Sequence, residues 1–196
     1  MTNFIQVWFL GYINPGKFID ELKTKPAPQW GLYSTVLRGL MDSLFLYLPI
    51  SIIGRIPPTP SYLTILPTES YYQILVWITP LIFIIQWLLG AAIIHTFFRL
   101  KNMPSNFDQI LNITGMSSWV IAFVLLIWDW FWFFVGNVDQ YFLGISHLII
   151  DLWWFVLVVI GIKRVLEVPK RLGITACVLS FLGVFPLVVI FMRAPF

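Results

Sequence analysis

Five long apolar runs decide the solvent in which this chain folds. They are Tyr33–Ile53, Tyr72–Phe98, Met116–Val135, Tyr141–Ile162 and Leu172–Met192, each near or above the roughly 20 residues a helix needs to cross a hydrocarbon core of about 30 Å. Of the 196 residues, 59% are hydrophobic and 11% charged, and the mean hydropathy is +0.87, well outside the range of soluble domains. The expected fold is therefore all-α: a polytopic integral membrane protein of five transmembrane helices plus a short N-terminal interfacial helix. The connecting loops are too short for a second folded unit, because domains seldom fall below roughly 50 residues. Residues 1–32 form a cytoplasmic N-terminal segment, and residues 33–196 form the five-span domain.

Lys and Arg in short loops stay on the cytoplasmic side of a membrane, and here they fall on alternate loops. Lys17, Lys23, Lys25, Arg99, Lys101, Lys163, Arg164, Lys170 and Arg171 lie on one side, against Arg55 and Arg193 on the other. The reading is a cytoplasmic N-terminus and an external C-terminus. The net charge of +3 is then a basic inner collar facing anionic headgroups, and nucleic acid is not an expected partner. Lys163, Arg164, Lys170 and Arg171 are the candidate lipid-facing cations of that collar, although a topology signal explains them as well.

No cleavable signal peptide is expected, since Phe4–Ile13 is short, follows no basic residue and runs into Asn14-Pro15. The lone Cys177 reads as a small packing residue of the last span. Asn14 as N-cap, Pro15 at the first helical position and Asp20 and Glu21 one turn later start a short helix. Phe18, Ile19 and Leu22 share one side of it, so it is expected to lie along the inner leaflet surface, ended by Pro26 and Pro28. Trp30 and Tyr33 read as interfacial anchors.

Prolines 57, 58, 60 and 67 predict an extended first loop, and Ser105 with Asp108 predicts a short capped helix through Asn112. A very short third loop, Gly136–Gln140, makes spans three and four neighbours. Pro49, Pro80 and Pro186 predict kinks, while Ser118, Ala122 and Gly90-Ala91-Ala92 would permit close helix approach.

Ionisable groups inside a span cost roughly 2.5 kcal/mol or more each, so each requires a partner or a wet cavity. The candidates are Arg38, Asp42, Gln86, Asp129, His147 and Asp151, with His95 nearer the inner surface. At a rise of about 1.5 Å per residue, Asp42 lies about 13 Å above the inner end of span one and Asp151 about 15 Å below the outer end of span four. Asp129 and His147 are each about 10 Å from the outer end, level with one another across the hairpin. Arg38 with Asp42, His147 with Asp151, and His95 with Arg99 are all spaced i, i+4 and share a helix face.

Two readings of this group stand side by side. In one it is an ion-paired seam that fixes helix rotation, favoured by Arg38 and Asp42 neutralising each other, with Asp129 reaching water near Trp128, Trp130 and Trp132. In the other it lines a hydrophilic cavity for a lipid headgroup, an ion or a proton. No enzyme is expected: His147-x-x-x-Asp151 lacks the further ligands a zinc site needs, and no GxSxG, HExxH or phosphate-binding glycine loop occurs. No metal or other cofactor is expected either. The tryptophans of WDWFWFF and LWWF read as a lipid-facing belt.

The order of parts resembles a known family. Asn14-Pro15 with Phe18 in a short inner helix, Pro28 before the first span, an inner loop after span two, a His-bearing fourth span entering Trp153-Trp154, and Gly161-Ile-Lys-Arg-Val are similar to the prokaryotic branch of the Yip family. These are Ypt/Rab-interacting five-span membrane proteins, and the resemblance covers about residues 13–192. It implies five spans and a cytosolic N-terminus. Eukaryotic members bind prenylated Rab GTPases through a longer N-terminus and a Tyr-Gly-Pro type motif, which this chain lacks, so Rab binding is not carried over.

The resulting expectation is a non-enzymatic multipass protein organising lipid or partner proteins. Its partners would be membrane lipids, a membrane or cytoplasmic protein, or a second copy in a homo-oligomer. The alternative is a small transporter or proton-coupled permease using Asp129, His147 and Asp151 as a relay. A sensor or assembly subunit, recruited through the basic face, is a third class.

Overall fold

The computed structural model describes residues 3–25, 27–57, 67–136 and 140–191, with the side chains of all but 140 and 141. Pro26, Pro58, Pro60, residues 137–139, Met192 and Arg193 lie outside them. Eight helices follow in order: α1 (Phe4–Ile13), α2 (Pro15–Lys23), α3 (Gln29–Asp42), α4 (Leu48–Ile52), α5 (Tyr71–Leu100), α6 (Phe107–Val135), α7 (Gln140–Val165) and α8 (Lys170–Phe191). A π-helical turn, Ser43–Tyr47, joins α3 to α4, so Gln29–Ile52 is one span. Together with α5, α6, α7 and α8 it makes five helices long and apolar enough to cross a membrane. The protein is a multi-pass, all-helical membrane protein.

Two prolines explain how the first two spans lock together. Pro49 has no N–H for the carbonyl of Phe45, four residues earlier, and the wide turn before it shifts the bonding so that Leu48 N–H reaches Ser43 O. The Phe45 carbonyl instead accepts the Trp130 indole N–H of α6 at 2.8 Å. Pro80 likewise leaves the carbonyl of Val76 without its helical donor, and the Ser43 hydroxyl donates to it. Hydrocarbon offers no water to fill such gaps, so neighbouring helices supply the donors. At Pro80 and Pro186, α5 and α8 both run through their prolines as single helices.

The central element is α6, packed against α3, α5 and α7, while α8 packs chiefly against α5 and α7. At the α3–α6 crossing Gly31 and Gly115 meet backbone to backbone, where a Cβ on either would collide with the other helix. Asn112 secures that crossing: its Oδ1 accepts Gly31 N–H at 2.9 Å and its Nδ2 donates to Ala27 O at 2.6 Å. Close approach therefore falls on Gly31 and Gly115, with Gly90 of the expected small-residue group set against Ser180. The short helix expected to end at Asn112 is instead the first turns of α6, and Asn106, not Ser105, caps it by accepting Gln109 N–H.

The N-terminal segment differs most from expectation. Asn3 and Gln6 form a reciprocal capping box that starts α1, and α1 packs along one side of α6. Tyr12 donates to Val120 O near the middle of α6, Trp8 stacks beside Trp119 and Phe123, and Trp153 Nε1 donates to Gly11 O at 3.3 Å. Ile5, Phe9 and Ile13 remain exposed on its far side, as lipid-facing positions would be. In α2, Asn14 caps and Pro15 sits at the first position as expected, but Phe18, Ile19 and Leu22 are fully buried in the main core beside α6 and α7. Their apolar face is spent on protein contact, so α2 is a docked helix and not one floating on lipid.

Candidate functional site

The polar residues of the spans fall into two connected groups. In the first, the Asp129 carboxylate of α6 and His147 Nε2 of α7 are 2.8 Å apart, with Asp129 7% exposed. α6 ends at Val135 and α7 begins at Gln140, so counting from the ends of the two helices places both residues at one level. Asp129 does not reach water beside the tryptophans. Those tryptophans also depart from a simple lipid-facing belt, because an indole N–H in hydrocarbon needs an acceptor. Trp128 donates to Ser146 Oγ at 2.7 Å, Trp87 to Leu111 O at 2.8 Å and Trp154 to Thr114 O at 3.3 Å, each tying two helices together.

The second group surrounds a cavity of about 180 Å³ to which all five spans contribute. Its polar wall holds Arg38 of α3, Gln86 of α5, Ser118 of α6 and Asp151 of α7; its apolar wall is Phe181, Val184 and Val188 of α8. Arg38 is held in place without using all its donors. Its Nη1 donates to Ser118 Oγ at 2.7 Å and Ser118 O at 3.1 Å, the guanidinium lies over the Phe83 ring at 4.8 Å, and the buried Nε has no partner. Ser118 thus serves as an anchor for Arg38 in place of a helix-approach residue.

Among the described residues no ion pair joins Arg38 to Asp42, or His147 to Asp151. Both i, i+4 pairings give way to contacts between helices, since His147 turns to Asp129 and Arg38 to Ser118. Asp151 lines the cavity with no hydrogen bond or ion pair to another described residue. Asp42, at the start of the π-turn, lies between the groups and senses the charges of Arg38, Asp129 and His147. Five ionisable residues on α3, α6 and α7 therefore form one electrostatic cluster, and three of them are carboxylates. Among the described residues no group of three or more His, Cys, Asp or Glu side chains is placed to hold a metal ion.

At the opposite, basic end, Arg164 donates to both carboxylate oxygens of Asp20 at 3.1 Å and to Gly16 O at 3.0 Å, fastening α2 to α7. Lys163, Lys170 and Arg171 are exposed. His95 pairs through Nδ1 with Ser105 Oγ at 2.8 Å, not with Arg99. Sequence reasoning passed over Asn112 and Ser43; the signal available was a buried-side Asn opposite the N-terminus of span one, and a Ser level with Pro80 on the facing span. Cys177 is buried, as a packing residue should be.

Comparison with curated proteins returns no match, and comparison with solved structures returns none either. Residues 10–192, nearly the whole five-span body with α2 and the end of α1, match the Yip1 domain, and the chain belongs to that family.

Proposed function

We propose that the cavity between α3, α5, α7 and α8 receives the polar head of a membrane amphiphile, and that the protein organises lipid without catalysing a reaction. The observation that carries this reading is the combination of walls: Arg38 and Asp151 with bonding capacity unused on one side, and the apolar residues of α8 on the other. A purely structural seam would close its charges on each other, because an uncompensated charge in hydrocarbon is costly. Among the described residues of the spans only His147 and Asp129 are in direct ion-pair contact, while Arg38 acts on Asp42 and Asp151 at longer range. We propose a cytoplasmic N-terminus on the distribution of Lys and Arg among the loops, and a prokaryotic plasma membrane on the resemblance to the prokaryotic Yip branch.

Native mass spectrometry of the gently extracted protein tests the lipid site. Wild type should retain lipid, and Arg38→Gln and Asp151→Asn should each lose most of it while keeping a cooperative thermal transition. Equal lipid retention in all three proteins would remove the reading.

The 2.8 Å contact between His147 and Asp129, with Asp42 close by, supports a second reading, proton-coupled transport through Asp129, His147 and Asp151. Proteoliposomes should then show a pH-gradient-driven flux that His147→Gln abolishes. Absence of such flux over a broad substrate panel would exclude it.

A further inference from the structure

We infer that the ligand of this cavity is an amine-bearing zwitterionic phospholipid, with its phosphate on Arg38 and its primary ammonium on Asp151. This inference rests on the lipid-site reading and assigns the ligand's charges. Arg38 lines the cavity with a guanidinium that Ser118 and Phe83 hold in place, and its Nη2 donates to no described residue. A guanidinium fork matches phosphate oxygens in geometry and charge. Asp151 offers the opposite chemistry: a carboxylate accepts hydrogen bonds only, and this one has no donor among the described residues.

A ligand with only negative charge would satisfy Arg38 and be repelled by Asp151. A ligand with only positive charge would meet the reverse. Both demands are met by a molecule carrying the two charges a short distance apart, as phosphoethanolamine does. A trimethylammonium group has no N–H to give Asp151, so phosphocholine fits less well. The size is suitable, since about 180 Å³ is the share of about six waters, or slightly more than a cavity known to hold a benzene-sized guest. Arg38 lies about 13 Å along the helix from Gln29, below the ordinary headgroup level, so the cavity must supply the solvation that water gives elsewhere. Phe181, Val184 and Val188 of α8 provide an apolar surface for the chains, which favours a lipid over a free headgroup.

The test is competition by native mass spectrometry: delipidated full-length protein in detergent, offered equal amounts of phosphatidylethanolamine, phosphatidylcholine and phosphatidylglycerol with identical chains. Wild type should prefer phosphatidylethanolamine by about tenfold, the worth of one charge-assisted hydrogen bond. Asp151→Asn should bring phosphatidylglycerol level with it, Asp151→Glu should restore the preference, and Arg38→Gln should weaken all three. Glycerophosphoethanolamine at matched concentration should fail to displace the lipid. Displacement by that soluble compound would overturn the lipid source, and equal binding of the three lipids by wild type would overturn the charge assignment while leaving a lipid site in place. Binding of none would remove both.

Discussion

Arg38 shows how a charge is tolerated inside a span when its direct hydrogen bonds come from another helix. The i, i+4 spacing to Asp42 suggested a local pair, but Ser118 of α6 takes the guanidinium, and that choice is invisible in a one-dimensional pattern. The same principle governs the backbone at Pro49 and Pro80, where Trp130 and Ser43 donate to the carbonyls of Phe45 and Val76. Ser43→Ala should therefore lower stability by about 1–3 kcal/mol, the cost of a buried acceptor left unpaired, read as a shift of the unfolding midpoint in mixed micelles; no shift would mean that the hydroxyl is dispensable. Asn112→Ala, which removes the acceptor of Gly31 N–H and a donor to Ala27 O, should cost a similar amount. For the buried pair, a double-mutant cycle of His147→Gln and Asp129→Asn should give a coupling of about 0.6–1.7 kcal/mol, the range of interhelical hydrogen bonds in membranes. A coupling of zero would contradict the 2.8 Å contact.

At the scale of elements, the five spans were legible because length and apolarity suffice to name a transmembrane helix. The level of Asp129 with His147 was legible because α6 ends and α7 begins only a few residues apart in the chain, which leaves little freedom of register. Three features were not. The first turns of α6 carry Asn106, Asp108 and Asn112, polar enough to read as a loop helix, yet Asn112 is buried against the start of α3. The π-turn at Ser43–Tyr47 packs against α5, a contact that no one-dimensional pattern carries. The helix α1 was passed over because its ten mostly apolar residues are half a span and neither soluble nor crossing, although Asn3 and Gln6 spell a capping box. A nitroxide at Phe9 tests its placement: it should be relaxed by oxygen far more than by a water-soluble nickel complex, with the reverse at the exposed Asp20. Equal relaxation by the nickel reagent at both positions would place α1 in water and undo its docking on α6.

The whole molecule is a bundle in which α6 is the hub, α8 the outer wall, and the ionisable residues of α3, α6 and α7 face inward behind that wall. Five crossings, with Lys and Arg gathered on one set of loops, lead us to expect the two termini on opposite faces; reporter fusions at each end should report different compartments. The decisive issue is whether the polar group is a closed seam or lines a space that polar ligands enter. Replacing Cys177 by Ser and Asp151 by Cys, then adding a small charged methanethiosulfonate to the protein in liposomes, answers it directly. A cavity predicts modification of Asp151→Cys far faster than of Leu152→Cys, which faces lipid. Equal inertness of both positions, in a protein that melts like wild type, would contradict the cavity and leave a sealed seam.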